Sequence, residues 1–167
     1  QELEFLLELA KEYKDRSDII FLIIGEGAQK EKIVNIINNN KLSNVMIKDY
    51  IPRNDYRNLL KQCDIGLINL NRIFTIPNMP SKVVDYFNAS IPILAATDKN
   101  TDLKQFLQDA NAGLWSETGD LEGYKSNFEK LLNDKKLREE LGKNGERFLE
   151  ENLNVEKAYQ IIIKHFE

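Results

Sequence analysis

Apolar positions along the chain switch between two spacings. Leu3, Leu6, Leu7 and Ala10 recur at helical intervals with charges between them, so residues 1–14 read as an amphipathic helix. Residues 19–24 form an unbroken apolar run that stops at Gly25, the pattern of a strand buried on both faces. Helical spacing returns over 28–39 through Ile33, Ile36 and Ile37. A short strand at 45–47, a turn at Pro52 and a helix carrying Tyr56, Leu59, Leu60 and Cys63 come next. Residues 64–70 read as another strand, and 71–80 as a long connection without periodicity. A short helix from Ser81 leads to a strand at 91–95, a helix near 101–109 and a short strand at 113–115. Three helices close the chain, and the last opens at Asn154, a residue suited to capping free amides.

Strand–helix alternation with short connections predicts an α/β domain. The expected architecture is a Rossmann-like, doubly wound and mostly parallel sheet with extra C-terminal helices. Ligands of such sheets bind beyond the carboxyl ends of the strands, which here means residues 25–27, 49–53, 71–82 and 96–100.

Composition narrows the classes. The 167 residues are 42% hydrophobic and 30% charged with 8 Gly and 4 Pro, a single domain (1–167) rather than a disordered, collagen-like or disulfide-stapled chain. No apolar run approaches the ~20 residues of a membrane-spanning helix. The acidic, helix-patterned start does not read as a signal peptide. Cys63 has no partner for a disulfide, and one His with one Cys cannot build a zinc site, so a reducing, cytoplasmic setting is expected. A net charge of −4 without a basic, aromatic-interleaved stripe argues against nucleic acid as a partner.

Gly25-Glu26-Gly27 sits between a strand and a helix, where glycine allows positive φ and close approach of a ligand. It reads either as a tight turn or as a nucleotide loop. The dinucleotide fingerprint would place a third glycine at position 30, which is Lys30, although Asp49 stands where a ribose-binding acid would. Pro80-Ser81-Lys82-Val83-Val84-Asp85-Tyr86 is the most specific stretch. Pro80 and Ser81 open a helix, so the amides of Ser81, Lys82 and Val83 are expected to point outward toward an anion, with the Lys82 ammonium beside them. Asp85, one turn on, suits a ribose diol; the same residues also fit an ordinary capped helix with solvated charges. Lys48, Arg53, Arg72 and Lys82 are candidates for one basic rim, which net charge does not forbid because distant charges are screened within ~8 Å. Arg72 and Phe74 lie in the long connection, where functional residues often gather. Cys63 and Trp115 read as core, His165 as a helix-end residue, and the charges of 134–151 as a solvated helix face.

In order and spacing these segments resemble the C-terminal, donor-binding domain of the two-lobed (GT-B) glycosyltransferases, specifically the large retaining family four. The resemblance rests on several stretches taken together. They are 21–27, 44–47 leading to Tyr50-Ile51-Pro52, 63–67, Pro80 to Phe87 with 91–95, and Ala112-Gly113-Leu114. Within that family the chain is most similar to bacterial capsule and lipopolysaccharide transferases that use N-acetylated amino sugars. The resemblance implies that Tyr50, Ile51 and Arg53 border the nucleobase of a UDP-sugar. It implies that Gly25, Glu26 and Gly27 line the donor site, that Ser81, Lys82 and Val83 hold the diphosphate, and that Asp85 holds the ribose. Lys82 is then the catalytic group, stabilising the departing diphosphate, with no metal and no cofactor required.

Two departures from the family pattern matter. The first acid of its paired-glutamate motif falls at Pro77, and the second is the shorter Asp85. The family's donor domain also opens with a central strand ahead of the helix at 1–14. A chain that starts at that helix is therefore expected to be a fragment, without the acceptor-binding lobe and with a gap beside 19–24. That edge would invite strand pairing or dimerisation, and the fragment alone would not catalyse transfer to its glycan or lipid-linked acceptor. Two other functions fit the pattern less well: a nucleotide-binding interaction module, and a UDP-sugar epimerase of the same architecture, which needs further acids and a His.

Overall fold

The computed structural model describes residues 2–73 and 78–164. The elements run α1 (Leu3–Glu12), β1 (Phe21–Ile24), α2 (Lys30–Asn39), β2 (Val45–Lys48), α3 (Arg53–Leu60), β3 (Gly66–Asn69), α4 (Lys82–Asn88) and β4 (Ile93–Thr97). They continue with α5 (Leu103–Ala110), β5 (Gly113–Glu117), α6 (Leu121–Asn133), α7 (Lys135–Asn152) and α8 (Val155–Ile163). Every strand pair is parallel, and the sheet is in two pieces: β1 with β2, and β3–β4–β5.

Local chemistry explains the boundaries. Asp120, Asp134 and Asn154 accept the amides of Gly123, Leu137 and Lys157 and so open α6, α7 and α8. β4 begins two residues later than periodicity predicts. The Ile91 amide is spent on the Tyr86 carbonyl and Pro92 has none, so the ladder to β5 starts at Ile93. Gly66 is required by packing, because a Cβ there would stand 2.6 Å from the Tyr86 ring.

Two cores form, one on each face. The first gathers α1, α2 and α6 over both sheet pieces, through Phe5, Leu9, Phe21, Val45, Leu94 and Tyr124. The second gathers α4 and α5, with Leu60 of α3 and Phe148 of α7, over β3–β4–β5 only. Helices thus cover both faces of β3–β4–β5, and α7 buries only Leu141, Gly142 and Gly145.

The expectation that 19–24 is buried on both faces fails. Phe21 is buried, Leu22, Ile23 and Ile24 are half-buried, and Ile20 is 61% exposed. The reason is the break in the sheet: β1 has a neighbour on one side only, and a cavity of about 1310 Å³ opens along its other side, between β1 and β3. The chain is a partial domain.

Candidate functional site

The cavity reaches the carboxyl ends of the strands, where sequence-predicted residues meet. Gly25, Glu26, Gly27, Tyr50, Ile51, Arg53, Lys82 and Asp85 all line it. Gly25 has φ +140°, a conformation that favours glycine, and no heavy atom lies within 4 Å of where its Cβ would stand. Tyr50 and Arg53 are exposed at the rim, with Ile51 half-buried between them.

Lys82 is the electrostatic centre. It is half-buried, burial pulls its ammonium below the ordinary lysine range, and no carboxylate pairs with it among the described residues. A desolvated cation without a counter-ion in a cavity wall is a ready acceptor for an anionic ligand. Asp85, one turn along, is also half-buried and faces the cavity rather than the core.

Two expectations about this stretch change. The Val83 amide is not free: it donates to the Pro80 carbonyl at 3.1 Å, and the Val83 side chain is 1% exposed in the second core. Val83 therefore leaves the list of donor-binding residues. Ser81 already has helical dihedrals and caps nothing, because α4 begins as a tight turn at Pro80. The amides of Ser81 and Lys82 have no carbonyl acceptor among the described residues. Of the four rim cations, only Arg53 and Lys82 line the cavity, while Lys48 and Arg72 lie off it. Phe74, Pro77 and His165 lie outside the described residues. Lys30 pairs with Asp49, so the acid that might have served a dinucleotide is already engaged by the residue replacing the third glycine.

Tyr56 was hidden in the helical pattern of α3 and belongs to the site. It lines the cavity, and burial, followed by the nearby Asp85 carboxylate, raises its hydroxyl above the ordinary range. Cys63 lines the same wall, half-buried, its thiol facing the Leu59 carbonyl and pushed up by burial and by Asp64. Tyr56 shares helical spacing with Leu59 and Leu60, and it packs against the second core as well as lining the cavity. Trp115 packs on the second core, its indole donating to Thr97 at 2.8 Å with Lys104 over the ring. Among the described residues, no three His, Cys, Asp or Glu side chains converge closely enough to hold a metal ion, and no helix is long and apolar enough to cross a membrane.

The family model of glycosyl transferases group 1 matches residues 1–148. The chain belongs to that family. A curated relative, the chitobiosyldiphosphodolichol beta-mannosyltransferase of Dictyostelium discoideum, is 35% identical over 79 residues, which are 47% of this chain and 16% of that protein. The Candida glabrata enzyme of the same name is 28% identical over 83 residues, 49% of this chain and 18% of its own length. The chain thus spans under a fifth of the curated relatives it matches. Among solved structures, a point mutant of S. aureus TarM in complex with UDP and other ligands superposes with a TM-score of 0.81 at 20% identity. That match covers 99% of this chain and 33% of TarM. Anabaena Alr3699/HepE in complex with UDP gives a TM-score of 0.78 at 14% identity, over 99% of this chain and 44% of that one. At these identities the structural likeness speaks for the fold, which is the C-terminal half of a GT-B glycosyltransferase.

Proposed function

We propose that this domain binds a nucleotide-linked sugar, with UDP as the nucleotide, and that the intact polypeptide transfers the sugar with retention to a glycan or lipid-linked acceptor in cell-surface polysaccharide synthesis. In this reading Lys82 and the free amides of Ser81 and Lys82 meet the diphosphate. Asp85 accepts from the ribose hydroxyls, and Tyr50, Ile51 and Arg53 border the base. The observation that carries the reading is Lys82, a half-buried cation with no carboxylate partner among the described residues, one helical turn from a carboxylate in the same cavity. Family membership and the UDP and UDP-glucose bound in HepE support the choice of ligand class.

The chemistry asked of the site is electrostatic. As the glycosidic bond breaks, negative charge gathers on the departing diphosphate. A fixed ammonium in a poorly hydrated wall stabilises that charge without having to reorganise. Calorimetry with UDP, uridine and inorganic pyrophosphate tests the reading on the intact protein. Lys82→Ala should weaken UDP and pyrophosphate about 10- to 100-fold, matching the roughly 1.5–3 kcal/mol of a charged hydrogen bond, while uridine changes little. Asp85→Asn should weaken UDP and uridine and leave pyrophosphate alone. Equal losses of uridine and pyrophosphate in Lys82→Ala would remove Lys82 from the phosphate site.

A further inference from the structure

The 6 tyrosines divide by the fate of their hydroxyls. Tyr13, Tyr86 and Tyr124 are buried, and each hydroxyl is bonded. Tyr13 donates to the Glu129 carboxylate at 3.0 Å, Tyr86 to the Leu67 carbonyl at 3.1 Å and Tyr124 to the Asn69 side chain at 3.1 Å. Tyr50 and Tyr159 are exposed to solvent. Tyr56 fits neither group. It is half-buried and packs against the second core, yet its hydroxyl has no partner among the described residues. A phenol withdrawn from bulk water ordinarily finds a hydrogen-bond partner.

Two helices set the place of that hydroxyl. α3 brings Arg53 and Tyr56 to the cavity and α4 brings Lys82 and Asp85, in each case three residues apart and so on one helix face. Each helix thus starts with a cation and carries a polar group one turn on. Arg53 is exposed at the rim, whereas Tyr56, Lys82 and Asp85 are half-buried. The Asp85 carboxylate has neither a hydrogen bond nor an ion pair among the described residues. Burial, and after it the charge of Asp85, raises the Tyr56 hydroxyl above its ordinary range, but no hydrogen bond joins the two. Charge acts beyond the distance of about 3 Å at which such a bond forms. Both groups line the cavity, which leaves room for a ligand between them.

We infer, on the reading that the cavity takes a UDP-sugar, that Tyr56 is a specificity-determining residue. Its hydroxyl donates to an oxygen of the ribose diol held by Asp85, so that the site selects ribonucleotides over deoxyribonucleotides. The two groups are complementary. A carboxylate only accepts, so Asp85 takes ribose protons and leaves the diol oxygens without a donor, which the phenol supplies. Burial and the neighbouring carboxylate keep that phenol protonated, so it remains a donor at neutral pH. No neighbour replaces it. The Tyr86 hydroxyl is committed to Leu67, and the Cys63 thiol, on the same wall, is a weak donor that already faces the Leu59 carbonyl. A deoxyribose would leave one of the site's polar groups unpaired, the circumstance in which a hydrogen-bonding site discriminates most strongly.

Calorimetric titration of the full-length polypeptide with UDP, its 2′-deoxy and 3′-deoxy analogues and inorganic pyrophosphate tests the inference. Tyr56→Phe keeps the ring against the second core and removes only the hydroxyl, so its melting temperature should match that of the parent. The variant should bind UDP about 3- to 10-fold more weakly and pyrophosphate unchanged. Its loss should vanish against one of the two deoxy analogues, the one lacking the oxygen that Tyr56 serves. An equal loss for UDP and both analogues would overturn the inference, because Tyr56 would then act through packing. UDP affinity unmoved by Tyr56→Phe would also overturn it and leave the donor reading standing. Absence of UDP binding by the unaltered protein would remove that reading and the inference together.

Discussion

The two pieces of the sheet are built from similar strands and end in opposite conditions. β4 is buried at all five positions, flanked by β3 and β5 and covered on both faces. β1 is equally apolar, Phe-Leu-Ile-Ile, yet only Phe21 is buried, and Met46 on its neighbour β2 is 44% exposed. The difference lies in neighbours rather than in sequence. The first core reaches both pieces, whereas the second is confined to β3–β4–β5, so Leu22 and Ile24 of β1 border the cavity rather than a core. An apolar strand carries the capacity to be central, and only adjacent backbone makes it so.

Stability measurements on the 167-residue chain can break that contrast. Phe87 is fully buried against Phe106 and Phe148, so Phe87→Ala should cost roughly 3–5 kcal/mol in urea unfolding. Leu22→Ala, on the half-buried strand, should cost under about 1.5 kcal/mol. Comparable losses would mean that the β1 half is as well packed as the other.

A smaller effect is expected from Gly66→Ala, which places a methyl against the buried Tyr86 ring at the border of the cavity. Overpacking of this kind should cost about 1–3 kcal/mol. It should also disturb UDP binding through α4, which a titration of the variant would detect.

The least effect concerns Lys82 and carries a pH signature. Burial depresses its ammonium below the ordinary 10.5. Below the depressed value, folded and unfolded chains are both protonated there and the desolvation penalty is constant. As pH rises through that value toward 10.5 the folded chain sheds the proton first, so the lysine's penalty diminishes. Lys82→Met should therefore raise the melting temperature at neutral pH, and its advantage should fade as pH approaches 10.5. A gain that grows with pH would mean that Lys82 has a carboxylate partner after all.

Much of the site was legible as residue type at strand ends. Gly25, Glu26, Gly27, Tyr50, Arg53, Lys82 and Asp85 all fall where a parallel sheet presents its carboxyl edge, and they share one cavity. Tyr56 was not legible, since spacing along α3 cannot tell a residue that only packs against a core from one that also lines a cavity. Nor was the fate of Val83, whose amide was lost to a turn that begins one residue earlier than the helix pattern indicates.

Sequence alone determined what repeats locally: the alternation of strand and helix, the Asn154 cap, the parallel α/β class, and the chemical types gathered at the strand ends. These follow from periodicity, capping and turn chemistry, which act over a few residues. The tertiary structure decided which strands are central, that the sheet is broken between β1 and β3, which cations share the cavity, and that no carboxylate pairs with Lys82 among the described residues. Those outcomes depend on contacts between segments distant along the chain, where burial and backbone pairing are set by whichever neighbour is present.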